Sequence, residues 1–129
     1  MILLDTHAVL WLAQVPELLS DDARGAISDA RQKDGVAIAD KTLWELAMLV
    51  SKGRVGVRTS LRDFLEAVER LCTVLPVTGA IAERAVQFSD RYPSDPADRL
   101  IGATAVVHGM KLVTKDDGIR TSGEVKCVW

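Results

Sequence analysis

What most restricts the fold of this chain is a repeated alternation. Short, wholly apolar runs stand between longer segments with helical spacing. Ile2 to Leu4 is one such run, Val36 to Ala39 a second, and Thr73 to Val77, Lys111 to Thr114 and Glu124 to Trp129 are further short strands. A strand apolar on every residue must be covered on both faces, and a sheet reached through intervening helices is parallel. The expectation is therefore α/β: a three-layer α/β/α sandwich with a short-stranded central parallel sheet, in one domain over residues 1–129.

The helical segments carry their own start and stop signals. Val9, Leu10, Leu12 and Ala13 share a face ahead of Pro16, with Trp11 on another. Ser20-Asp21-Asp22 opens a helix to about Lys33, its acids in the first turn, where the helix dipole favours them. Leu43, Leu46, Ala47 and Val50 mark a helix over about 42–51, and Ser60-x-x-Asp63 caps one running through Leu71. Helices are expected over 80–92 and from Asp95-Pro96 to His108, where Gly109 ends the second.

With 48% hydrophobic and 26% charged residues the chain is globular in composition. A formal net charge of -2 gives no global electrostatic footprint for nucleic acid, so a polyanion would need a local basic rim or a metal. Cys72 and Cys127 lack Cys-x-x-Cys spacing and read as free thiols, which fits a reducing cytoplasm. No apolar run approaches the roughly 18 residues a membrane span needs, and the start of the chain lacks the basic region of a signal peptide.

Acids recur where strands end. Asp5 directly follows the first strand, and Asp116 or Asp117 follows the Lys111 to Thr114 strand. Asp98 stands in the first turn of one helix and Glu45 in the first turns of another. In open α/β sheets the functional crevice lies beyond the carboxyl ends of the strands, so four carboxylates from separate places are brought to one edge. Such a cluster raises its own pKa values unless a cation compensates, and an all-oxygen set selects Mg²⁺ or Mn²⁺ over zinc. Simpler readings stand beside this one: Thr42-x-x-Glu45 and Asp95-Pro-Ala-Asp98 have capping-box spacing, and Asp116-Asp117-Gly118 has turn composition. Asp5 resists such a reading, because an acid ending a buried strand is costly without a partner.

These residues resemble the PIN-domain family, specifically its VapC-like toxins of bacterial toxin–antitoxin pairs. The resemblance is carried in order by Leu-Leu-Asp-Thr-His-Ala at 3–8, Thr-Leu-Trp-Glu-Leu-Ala at 42–47, Lys-Gly-Arg-Val at 52–55 and Leu-Pro-Val-Thr at 75–78. Asp-Pro-Ala-Asp-Arg-Leu-Ile-Gly-Ala-Thr-Ala at 95–105 and Leu-Val-Thr-Lys-Asp at 112–116 complete it. It implies Asp5, Glu45, Asp98 and Asp116 as the catalytic and metal-binding quartet. Thr6 and Thr114 would orient those acids, Asp95 would be an auxiliary acid, and Arg99 would stand beside the site. Asp116 is preferred to Asp117 from the Thr-x-Asp spacing. Ala39 stands where relatives often carry a hydroxyl, so no role is assigned there. The implied activity is Mg²⁺- or Mn²⁺-dependent endoribonuclease cleavage through activated water, leaving a 5′-phosphate and a 3′-hydroxyl. That activity inhibits translation and is neutralised by a cognate antitoxin, which typically sends a side chain, often arginine, into the acidic site.

Lys52, Arg54, Arg58, Arg99, Lys115 and Arg120 are the candidates for a basic rim, with Arg99, Arg54 and Lys115 foremost for RNA. Trp11 with Leu12, and Trp44 with Met48, lie off the expected core faces; exposed, they would suit a homodimer or an antitoxin helix. His7 reads as a residue of a helix start. Two alternatives are a phosphoryl-transfer domain of the receiver or haloacid-dehalogenase type, and a non-catalytic PIN-like binding module. The dehalogenase pattern wants a second Asp where His7 stands, a receiver wants an acidic pair missing here, and a binding module would have lost part of the quartet.

Overall fold

A computed structural model describes all residues, 1–129. Five strands form one parallel sheet: β1 (Ile2–Leu4), β2 (Val36–Ala39), β3 (Thr73–Leu75), β4 (Leu112–Val113) and β5 (Cys127–Val128), in the order β3-β2-β1-β4-β5. The chain winds outward from β1 in one direction through β2 and β3. It then returns to the other side for β4 and β5, so strand order reverses between β1 and β4. That reversal opens a crevice at their carboxyl ends.

Alternation along each strand decides which side chain meets which layer. Leu4, Val36, Ile38 and Val113 face one core with α1 (Thr6–Gln14), α2 (Asp21–Gln32), α3 (Asp40–Ser51) and α4 (Leu61–Leu71). Leu3, Ala37, Ala39 and Leu112 face the other, with α5 (Gly79–Gln87), α6 (Pro96–His108) and α7 (Asp117–Ser122). The central strands are buried as their apolar character requires, β2 and β4 throughout and β1 at Leu3 and Leu4, whereas the edge strands β3 and β5 keep partial exposure. No helix is long and apolar enough to cross a membrane. Cys72 and Cys127 are free thiols, the first buried and the second half-buried.

Four local differences from the sequence reading bear on the site. α3 begins at Asp40, with Ala39 in the N-cap position and no capping side chain, which leaves Thr42 buried inside the helix; Thr42-x-x-Glu45 is not a capping box. α5 stops at Gln87, not Tyr92, because the carbonyls of Ala85, Phe88 and Ser89 turn to the Arg99 guanidinium and Phe88 stacks flat on Tyr92 at 4.0 Å. β3 ends at Leu75, and the Val77 amide beyond it donates to Asp40 Oδ2. A short helix, α7, replaces the turn read at 116–118 and shortens the last strand to Cys127–Val128.

Candidate active site

Each acid reaches the crevice from a different element. Asp5 closes β1 and caps α1, its Oδ1 accepting from the Thr6 amide at 2.8 Å and its Oδ2 from the Thr114 hydroxyl at 2.6 Å. The same Thr114 oxygen accepts from the Asp116 amide at 3.1 Å, so one hydroxyl at the end of β4 ties both strand ends together. Asp116 caps α7 through the Ile119 amide. Glu45, on α3, accepts from the Thr6 hydroxyl at 2.6 Å. Because that proton is committed to Glu45, the 3.3 Å contact between Thr42 and Thr6 has Thr42 as donor. Asp95 caps α6 through the Ala97 and Asp98 amides, which places Asp98 one turn in and leaves its carboxylate free of the capping role.

These acids line a single open cavity of about 790 Å³. Asp5, Glu45, Asp95, Asp98 and Asp116 share it with Thr6 and His7, and Trp11, Trp44, Met48 and Leu49 supply its apolar surface. Lys52, Arg54 and Lys115 are its cations.

Electrostatics mark this cluster as unbalanced. Burial, more than any neighbour, pushes the Asp98 carboxyl up to about 7, with further increments from Asp5, Asp95, Asp116 and Glu45. Burial also raises Asp5, against the opposing hydrogen bonds of Thr114 and Thr6. Glu45 is raised by burial and by Asp5 and Asp95, partly offset by Thr6. Held carboxylates that repel one another need positive charge among them. No three of the acids form a ready-made ligand set on their own. The donor set is all oxygen, and the nearby thiols are not part of it.

Three of the expected cations lie elsewhere. Arg99 does not line the cavity: its guanidinium donates to the carbonyls of Pro93, Ala85, Phe88 and Ser89, which commits four of its five donors to the end of α5 and the loop after it and corrects the substrate-binding role read from its place beside Asp98. Asp117 is turned outward onto Arg120, so Asp116 is the acid that faces the cavity. Arg58 and Arg120 also lie outside it. Trp11 packs against the first core while lining the cavity, and Trp44 is 53% exposed.

The sequence reading missed Tyr92. Its ring is buried against Phe88, and its hydroxyl donates to the Asp98 carbonyl at 2.6 Å. A Cβ at Gly102 would collide with that hydroxyl. A glycine inside a helix costs about 1 kcal/mol against alanine, so Gly102 was the available hint of such a close approach.

A family model described as "PIN domain" matches residues 2–124. The chain belongs to the PIN-domain family. It is 37% identical over 120 residues to ribonuclease VapC22 of Mycobacterium tuberculosis, covering 93% of this chain and 90% of that one. Among solved structures, VapBC2 from Rickettsia felis bound to a DNA fragment from its promoter superposes with a TM-score of 0.71 at 14% identity, covering 98% and 97% of the two chains. FitAcB from Neisseria gonorrhoeae gives 0.68 at 24% identity, covering 98% and 96%. Both superpositions show that this chain shares the PIN-type α/β/α fold.

Proposed function

We propose that this protein is a Mg²⁺- or Mn²⁺-dependent endoribonuclease, the toxin of a toxin–antitoxin pair acting in the cytoplasm to inhibit translation. The observation that carries this reading is the convergence of Asp5, Glu45, Asp98 and Asp116 in one open cavity beyond the β1 and β4 ends. Similarity at 37% identity to a ribonuclease, over 93% of the chain, supports the choice of RNA. Likeness in fold to structures described as toxin–antitoxin complexes supports a protein antitoxin as partner, and a homodimer is part of the same reading.

Asp5, Asp98, Asp116 and Glu45 would hold the cation, which when bound lowers the pKa of water and neutralises charge on the phosphodiester. The chain's own residues do the rest. Thr114 and the Thr6 amide fix both oxygens of Asp5, and the Thr6 hydroxyl fixes one oxygen of Glu45, so the acids are set before substrate arrives. Lys52, Arg54 and Lys115 meet the phosphates of the strand. The short α6 start, pinned by Asp95, carries Asp98 to the cavity. An aspartyl-phosphate mechanism, as in receiver or haloacid-dehalogenase domains, suits Asp5 poorly because both its oxygens already accept hydrogen bonds. A non-catalytic binding module would have no use for four mutually repelling acids.

End chemistry tests the proposal. Incubation of antitoxin-free protein with an RNA pool and Mn²⁺ is expected to yield fragments with ligatable 5′-phosphates, and Asp98→Asn none. Fragments with 5′-hydroxyls and cyclic phosphates, formed equally in chelator, would show a different nuclease chemistry.

A further inference from the structure

Asp98 is held differently from the other three acids of the quartet. Asp5, Glu45 and Asp116 each have a carboxylate oxygen fixed by a hydrogen bond from a threonine hydroxyl or a backbone amide. No such bond reaches the carboxylate of Asp98; what is held is its main chain. Its amide donates to Asp95 Oδ1 at 3.2 Å, and its carbonyl accepts from the Tyr92 hydroxyl at 2.6 Å. The place of that carboxylate therefore depends on how firmly one residue in the first turn of α6 is gripped.

The Tyr92 side of the grip stands on a braced segment. The ring is 2% exposed and stacks on Phe88 with the planes 7° apart, and the Arg84 guanidinium lies 4.3 Å from the Phe88 ring centroid. The Tyr92 amide donates to the Ser89 carbonyl, and Arg99 gathers the carbonyls of Ala85, Phe88, Ser89 and Pro93 around it. Burial holds the phenol well above its ordinary value, so it stays protonated as a donor. It reaches the helix backbone because residue 102 is glycine, a residue that weakens a helix interior and is kept here where a Cβ would meet the hydroxyl.

We infer that Tyr92 is a positioning residue of the active site: through the Asp98 carbonyl it fixes the first turn of α6, and so the place of the Asp98 carboxylate among the other acids. The inference rests on the metal-dependent ribonuclease reading and adds to it a residue outside the cavity. The competing role is packing of α5 on α6 alone. A ring that only packs needs no hydroxyl, since phenylalanine would fill the same layer and crowd residue 102 less.

The test compares wild type, Tyr92→Phe and Thr104→Val. Phenylalanine keeps the ring and removes only the hydroxyl. Thr104→Val is the matched control, because it deletes another hydroxyl that donates to an α6 carbonyl, that of Leu100 at 2.7 Å, without touching Asp98. Both variants are expected to melt somewhat below wild type. Mn²⁺ binding is measured by calorimetry without RNA, and kcat and KM on one RNA at saturating Mn²⁺. Tyr92→Phe is expected to weaken Mn²⁺ binding and lower kcat by roughly 10- to 100-fold, the range for partners that orient a metal ligand, with KM nearly unchanged. Thr104→Val is expected to change none of the three. Wild-type Mn²⁺ affinity in Tyr92→Phe, an equal loss in both variants, or a Tyr92→Phe chain that does not fold overturns the positioning role and leaves the ribonuclease reading standing. A wild type that binds Mn²⁺ but cleaves no RNA overturns the ribonuclease reading alone, and the Mn²⁺ affinities still decide the role of Tyr92. A wild type that binds no Mn²⁺ overturns both.

Discussion

Replacing Asp98 by asparagine should stabilise this protein while abolishing its chemistry. Burial and the neighbouring acids push the native carboxyl up to about 7 from an ordinary 3.8, so between those pH values the folded state holds a proton that the unfolded state has lost. Native protein therefore binds more protons, and stability falls as pH rises through that window, reaching its floor above about 7. At about 1.4 kcal/mol for each tenfold change in protonation, the full interval would amount to about 4 kcal/mol in a dry site. Asp98 is half-buried and in reach of solvent, so screening brings the expected penalty to about 1–2 kcal/mol. Asparagine has nearly the same shape and no charge. Urea unfolding in chelator should show Asp98→Asn more stable than wild type by that amount at about pH 8.5, with the gain vanishing near pH 4. Adding Mn²⁺ should reverse the order, since the ion stabilises only the chain that binds it. A variant less stable than wild type at pH 8.5 without metal would refute the account of Asp98 as a repelled, uncompensated acid.

Other substitutions separate scaffold from site. Thr114→Val removes the donor to Asp5 Oδ2 and the acceptor of the Asp116 amide, and should lower kcat by roughly one to two orders of magnitude, with a melting loss matching about 1–3 kcal/mol for unpaired buried groups; Thr114→Ser should recover most activity. Arg99→Ala should cost stability, about 2–4 kcal/mol, because four carbonyls lose their donors, yet leave the salt dependence of RNA binding unchanged. Arg54→Ala should do the opposite: an unchanged melting temperature with a KM that rises and a salt slope reduced by about one. Gly102→Ala should unfold or strongly destabilise the chain, and Tyr92→Phe in the same molecule should recover part of the loss, read by thermal melting.

Much of this was legible because the signals were local. A run such as Ile2 to Leu4 ending in Asp5 states both a buried strand and its exit into the crevice, and parallel order follows from the intervening helices. Asp5, Asp98, Asp116 and the two threonines stand at strand or helix ends, where short-range chemistry limits the options; Glu45 lies in mid-helix. What was not legible depends on chain segments far apart. Arg99 stands next to Asp98 in sequence, but its direction is set by carbonyls at the end of α5 and on the loop after it, which fold back only in three dimensions. Asp116 and Asp117 are equivalent as letters; the start of α7 turns one inward and the other onto Arg120. Thr42 looked like a cap because its spacing to Glu45 fits one, and only the early start of α3 and its packing against α1 bring it, buried, against Thr6.

The central claim is that four acids act as one metal-dependent site on RNA. It is tested most directly by measuring cleavage of a single RNA pool against Mn²⁺ concentration for wild type and for Asp5→Asn, Glu45→Gln, Asp98→Asn and Asp116→Asn. The account predicts metal-dependent cleavage by wild type, none in chelator, and a loss of at least about a hundredfold for each variant, with melting temperatures showing all five folded. Cleavage that persists in chelator, or any of the four variants retaining wild-type rates at every Mn²⁺ concentration, would contradict it.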